Sequence, residues 1–154
     1  TALLVGATVC SGCGGSSSEE SARTTTQADA DTLMVNNAWV RPAPEGGVTA
    51  LYLDLRNHRA TADTLVSVEA PVSSRTEIHE TVQNDDGTMG MRPLENGLPV
   101  PTDTTTTLHP GGPHVMVYDV QPALTIGDSV RVTLHFGSDL RYTVTAHVRP
   151  TPPQ

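Results

Sequence analysis

Four side chains in this sequence offer soft or borderline metal-binding chemistry: His79 in "EIHET", Met91 in "GTMGMRPL", and His114 and Met116 in "GGPHVMVYDV". Side chains alternate faces along a strand, so His114 and Met116 project to one side. A core position at 114 would favour Val or Leu, and a solvent face rarely uses Met. Thioether sulfur is soft and neutral. Together with imidazole nitrogen it suits Cu(I), a d10 ion satisfied by four ligands. Zn2+ prefers thiolate, imidazole and carboxylate, so two thioethers argue against it. Ca2+ and Mg2+ need oxygen ligands. Two His and two Met add no anionic charge and so stabilise the lower oxidation state. Only His protonation opposes binding in moderately acid solution. Taken singly, each residue has an ordinary alternative, because Met often fills cores and a lone His often lies at the surface. The four in this order, with His114 and Met116 on one strand face, favour a shared metal site.

The elements that must position these donors read as strands. "LMVNNAWVRPA", "GVTALYLDLRN", "DTLVSVEAP", "RTEIHETV", "TMGMRPL", "TTTTLHPGG", "HVMVYDV", "SVRVTLHFG" and "LRYTVTAHV" are β-branched or alternating runs. Turn signals separate them: "APEGG", "NDDG", "ENG", "HPGG" and "IGD". No stretch shows a 3.6-residue apolar period, and there is no internal repeat. Eight or nine short strands with short turns indicate an all-β fold, a Greek-key sandwich in preference to a closed barrel. The hairpin from Ile78 to Leu94 turns at "NDDG" and places His79 and Met91 on neighbouring strands at comparable height. Met34 is expected in the core. His58, His135 and His147 read as surface residues.

The chain has 154 residues, which suits one domain with a tail. Its formal charge of -8 makes nucleic acid and anionic surfaces poor partners. Every basic residue is arginine. With one Trp, one Phe and three Tyr, the core must come from Val, Leu, Ile, Ala and Thr methyls. Residues 1–13 begin with an apolar run too short to span a bilayer and end in "SGC" before a Gly/Ser-rich stretch. This resembles a bacterial lipoprotein signal with Cys13 as the lipidated residue, and an ordinary secretory signal cut nearby is the other reading. Cleavage before Cys13 removes Cys10 with the signal. Lipidation uses Cys13, so the mature domain then has no thiolate for a disulfide, a nucleophile or a ligand. Residues 14–32 are mostly Ser, Thr, Gly, Ala and acid, and read as a flexible tether. Residues 33–149 form the folded unit, and 150–154 an extended tail.

The longer stretches "EIHETVQNDDGTMGMRPLENGLPVP" and "LHPGGPHVMVYDVQPALTIGDSVRVTLHF" resemble the PCu(A)C family of periplasmic copper chaperones. That family has a His, then "G-x-M-x-M-R-P", then "L-x-P-G-G-x-H-x-M". The Trp-Val-Arg start and "YLDLRN" fit as well, so the resemblance covers roughly residues 38–148. It implies a cupredoxin-like Greek-key sandwich that binds one Cu(I) through His79, Met91, His114 and Met116. It also implies extracytoplasmic copper delivery towards the CuA centre in subunit II of cytochrome c oxidase, alongside Sco-type thiol proteins. The spacing from Met91 to His114 is about one residue longer than the usual motif. Pro113 replaces the common aromatic before the His, and Glu80 follows His79 where some members carry Met. The His/Met-rich C-terminal extension of some members is absent. Met89 shares a face with Met91 and is a possible auxiliary ligand. His109 occupies a non-ligand position.

Other functions fit less well. A blue-copper electron-transfer site needs a Cys thiolate with two His. No nucleophile elbow, HExxH or Gly-rich phosphate loop is present, and a closed four-ligand site leaves no open position for a substrate, so the chain reads as a non-enzyme. A copper-buffering or resistance lipoprotein without a dedicated recipient uses the same residues. The localisation expected is periplasmic or otherwise extracytoplasmic, on a lipid anchor.

Overall fold

Among the described residues, ten strands account for nearly all the regular structure. The computed structural model describes residues 32–153. The expected signal segment, Cys13, and the tether up to residue 31 lie outside the described residues. The strands are β1 (Leu33–Val40), β2 (Thr49–Asn57), β3 (Asp63–Glu69), β4 (Arg75–Gln83), β5 (Met89–Pro93), β6 (Leu98–Val100), β7 (Thr104–Leu108), β8 (His114–Tyr118), β9 (Ser129–Phe136) and β10 (Arg141–Val148). Hydrogen-bonded neighbours follow the order β5-β4-β8-β2-β1-β10-β9-β3-β6, with β7 also on β2. All pairs are antiparallel except β1 with β10. The path folds back on itself, so that β3 lies against β4 and β6 against β7. The result is two facing layers around one apolar interior.

Each of the nine runs read from sequence contains a strand. The tenth, β6, has three residues with Pro99 at its centre. So short a run, broken by a residue without an N–H, gives no strand signal.

The interior follows the period-two pattern. Leu51, Leu53 and Leu55 of β2, Ile78 of β4, and Val115 and Val117 of β8 all face inward. Each Leu so buried contributes roughly 1.5–3 kcal/mol. Met34 is not in the core: it is 41% exposed, while Leu33 beside it is buried. Alternation along β1 sends one of the two inward, and the pairing of Leu33 with Asn57 selects Leu33.

Two polar side chains tie the ends of the layers together. The Asn57 amide donates to the carbonyls of Thr61 (3.0 Å) and Val100 (3.1 Å), and its oxygen accepts the Arg59 N–H at 2.9 Å. The Asp63 carboxylate accepts from the Thr64 and Ser138 amides, the Ser138 hydroxyl and the Arg59 guanidinium. Burial pushes the Asp63 carboxyl up, but the hydrogen bonds led by the Ser138 hydroxyl outweigh it and hold it below the ordinary value. A carboxyl with a depressed folded pKa stabilises the fold above its unfolded pKa of about 3.9, and that contribution is lost as pH falls through the folded value. Asp63→Asn is therefore expected to be less stable than the parent at pH 7, with the gap narrowing by pH 3. Urea denaturation at the two pH values measures it, and an equal gap at both would refute the assignment.

Candidate metal centre

The site lies on the outer face of the layer β5-β4-β8-β2-β1. On β4 and β8 the residues beside Ile78 and Val115 point away from the core, and His79 and His114 are register partners there. Their rings are 6.0 Å apart and both are buried, at 9% and 5% exposure. The two imidazoles expected to meet therefore do meet, across one rung of an antiparallel ladder.

Met116 stands two residues further along β8, opposite Glu77, on the same face. Met91 of β5 pairs with Thr81, and Pro93 is the residue opposite His79. Met91 is thus one same-face step from the height expected for it, diagonal to His79 and not level with it. The rungs of Met116 and Met91 are those of Glu77 and Thr81, about 13 Å apart along β4. The His pair sits between them. Met91 and Met89 lie on an edge strand and are exposed, at 61% and 64%. The offset arises because "NDDG" closes with Asn84 N–H on the Thr88 carbonyl, which fixes the register two residues away from a level His–Met pair.

Hydrogen bonds define the tautomer of each imidazole. The His114 Nδ1 is 2.9 Å from the Gly112 carbonyl. A carbonyl only accepts, so Nδ1 carries a proton, and in the neutral ring Nε2 holds the lone pair. The His79 Nε2 is 2.9 Å from Glu77 Oε2. The Glu77 carboxyl is pulled down to about 2, first by the hydrogen bond from His79 and then by that from Arg75, so it is ionised and also only accepts. Nε2 of His79 therefore carries a proton, and in the neutral ring Nδ1 holds the lone pair. That Nδ1 is buried and has no hydrogen-bond partner among the described residues. His135 Nε2 is also buried without a hydrogen bond, but it faces the Glu69 carboxylate at 3.3 Å. Buried polar atoms are normally satisfied, so the orphaned His79 nitrogen, with the His114 ring 6.0 Å away, fits a two-imidazole metal site.

The segment before His114 explains its placement. Leu53 pairs with Leu108 of β7 and Leu51 with Val115 of β8. The five residues 109–113, "HPGGP", are looped out of what would otherwise be one continuous partner strand. The loop is closed by His109 N–H to the Pro113 carbonyl and Gly112 N–H to the His109 carbonyl. Gly111 has φ of +85°, a conformation glycine adopts at little cost. Gly112 then presents its carbonyl to His114 and to the Thr81 hydroxyl. His109 is exposed, with its ring against Gly112. Beyond His114, the Tyr52 ring lies at 6.4 Å and Trp39 stacks on Tyr52 at 4.5 Å. Both aromatics are buried on the outer face, outside the main core.

Of the remaining histidines, His58 is half-buried and accepts a hydrogen bond from Arg56, and His147 is exposed beside Ser129. His135 is half-buried against Glu69, not fully at the surface. Among the described residues no group of three or more His, Cys, Asp or Glu is arranged to hold a metal, so an ion at the His79–His114 pair would draw its further ligands from thioethers. Glu77, Gly112 and Tyr118 do not stand out in the sequence as contributors to the site. The one available signal was the alternate spacing of Glu77 and His79, which places both on the same face of a strand.

With this geometry in view, the profile of the LpqE-like family, described as "Putative lipoprotein LpqE-like", matches residues 33–148. The chain belongs to the LpqE-like family. This LpqE-like chain is 33% identical over 107 residues to "Putative lipoprotein Lxx21020" of Leifsonia xyli subsp. xyli, covering 70% of the chain and 63% of the relative. It is 29% identical over 114 residues to RP573 of Rickettsia prowazekii, covering 71% and 62%. The chain thus spans less than two thirds of the length of these relatives. Among solved structures, it resembles the apo PCuAC domain from PmoF1, at 25% identity and a TM-score of 0.64 over 77% of this chain and 94% of that one. It also resembles the Cu(I) form of DR1885 from Deinococcus radiodurans, at 26% and 0.63 over 83% and 87%. The membership and the cupredoxin-like sandwich implied by the sequence motifs are both borne out.

Proposed function

We propose that the chain binds one Cu(I) through His79 Nδ1, His114 Nε2 and the sulfurs of Met116 and Met91, and passes it on by ligand exchange. The observation that carries this reading is the pair of buried imidazoles on adjacent strands, one with an unpartnered buried Nδ1, with the thioethers of Met91 and Met116 diagonal to His79 on both sides. Relatives in fold include proteins named as a copper-bound PCuAC domain and as Cu(I)-DR1885. Neutral donors hold a monovalent soft ion without adding charge. Met91 closes the set from the solvent side, and Met89, on the same face of β5, serves as an auxiliary thioether. A dithiolate acceptor then takes the ion downhill with no change of oxidation state. No step needs a substrate bond to form or break, so the reading is of a carrier and not of an enzyme.

The lipoprotein names of the family and of the Leifsonia relative support an extracytoplasmic protein anchored through Cys13. No helix among the described residues is long and apolar enough to cross a membrane. A tether keeps donor and acceptor at high local concentration. The resemblance to PCu(A)C proteins points to cytochrome c oxidase subunit II as the end of the route, with a Sco-type thiol protein beside it.

A Cu(I) competition titration tests the binding claim. The chain is expected to take up one equivalent and to surrender it to a dithiol peptide. The double variant His58→Ala/His147→Ala is expected to behave as the parent does. Failure to bind would sink the reading. Binding without transfer to any dithiol would favour the alternative, a copper-buffering protein.

A further inference from the structure

We propose that Glu77 is a positioning residue for this site: its carboxylate holds His79 in the Nε2–H tautomer and so keeps the buried Nδ1 as the ring nitrogen left for an ion. The proposal rests on the Cu(I) reading only for its effect on affinity. The positioning itself is a property of the metal-free chain.

The geometry is specific. Glu77 and His79 are two apart on β4, so both side chains leave the same face of the strand. Oε2 of Glu77 receives His79 Nε2–H at 2.9 Å and the Tyr118 hydroxyl at 3.1 Å. Oε1 receives the Arg75 Nε and Nη2 donors at 3.0 and 2.8 Å. Arg75 in turn lies over the Tyr118 ring, 4.3 Å from its centre. The carboxylate is thereby fixed from three sides by residues of β4 and β8 and has little freedom to rotate away from His79. With Nε2 engaged, Nδ1 is the only nitrogen His79 has left for an ion, and it is the buried, unpartnered one. Carboxylates that receive the second N–H of a ligating His fix its orientation and raise its basicity, and losing one costs metal affinity 10–100-fold. His114 uses a backbone carbonyl for the same purpose. The two histidines therefore present opposite ring nitrogens, Nδ1 from residue 79 and Nε2 from residue 114.

The test compares Glu77→Ala and Glu77→Gln with the parent. In the metal-free chain, 15N-detected histidine NMR is expected to show a pyrrole-like Nε2 and a pyridine-like Nδ1 for His79. Glu77→Ala is expected to shift both towards the averaged values of an unrestrained imidazole, leaving the His114 signals in place. Glu77→Gln keeps an acceptor oxygen and is expected to retain the parent tautomer. In Cu(I) competition, Glu77→Ala is expected to bind about 10–100-fold more weakly, with most of the loss recovered in Glu77→Gln. An unchanged His79 tautomer in Glu77→Ala would overturn the proposal. So would parent-like Cu(I) affinity in that variant. If the parent itself bound no Cu(I), the functional reading would fail while the tautomer comparison still decided the role of Glu77.

Discussion

The double variant His114→Ala/Met116→Ala is expected to lose more than about a hundredfold in Cu(I) affinity. Removing one outer hydrogen-bond partner of a ligand costs 10–100-fold, and this change removes two proposed donors outright. It deletes the imidazole whose bare Nε2 is set by the Gly112 carbonyl, together with the thioether that follows it on the same face. The intervening Val115 and the next inward residue, Val117, are core residues and stay in place. The variant should therefore keep the β-sheet circular dichroism of the parent, and its loss of binding can be assigned to the outer face. Competition against a Cu(I) chelator gives the affinity. Parent-like binding would show that residues 114 and 116 are not ligands.

The largest effect on stability is expected at Asn57. Its side chain joins the end of β2 to β6 through the Val100 carbonyl and closes the turn onto Thr61 and Arg59. The residue has no measurable exposure, so Asn57→Ala leaves these groups without their partner and admits little water to replace it. Each buried group left unsatisfied costs about 1–3 kcal/mol. The turn groups lie nearer the solvent, so a total of about 3 kcal/mol follows. For a domain of this size that lowers Tm by about 10 °C. Exposed Thr105→Ala on neighbouring β7 should stay within about 0.5 kcal/mol of the parent. Calorimetry of the two variants makes the comparison, and similar melting points would remove the structural role given to Asn57.

What the sequence revealed of this molecule follows from periodicity. Alternation in "ALYLDLRN" separates Leu51, Leu53 and Leu55 from Ala50 and Tyr52, and the fold places the first set in the core and Tyr52 beside His114. The same alternation put His114 and Met116 on one face before any pairing was known. Register was harder to read. Nothing local in "NDDG" says whether His79 faces Met91 or Pro93, and the hydrogen bond of Asn84 to Thr88 decides for Pro93. β6 escaped notice because a three-residue strand carrying Pro has no period to detect. Met34 was misplaced because Leu33 and Met34 are both apolar, and only the pairing of β1 with β2 tells which turns inward. Glu77 was missed because an acid on a β-strand looks like solvent-facing charge until the imidazole that donates to it is seen.

The stack of rings beside the centre has an optical consequence. The chain contains a single indole, and Trp39 is 3% exposed and packed on Tyr52. Two ring-to-ring steps of 4.5 and 6.4 Å lead from that indole to His114. Light absorbed at the red edge of the protein spectrum therefore excites one chromophore in one dry environment, next to the proposed ligands. The emission of the native chain reports on that corner of the sandwich alone, with no label attached.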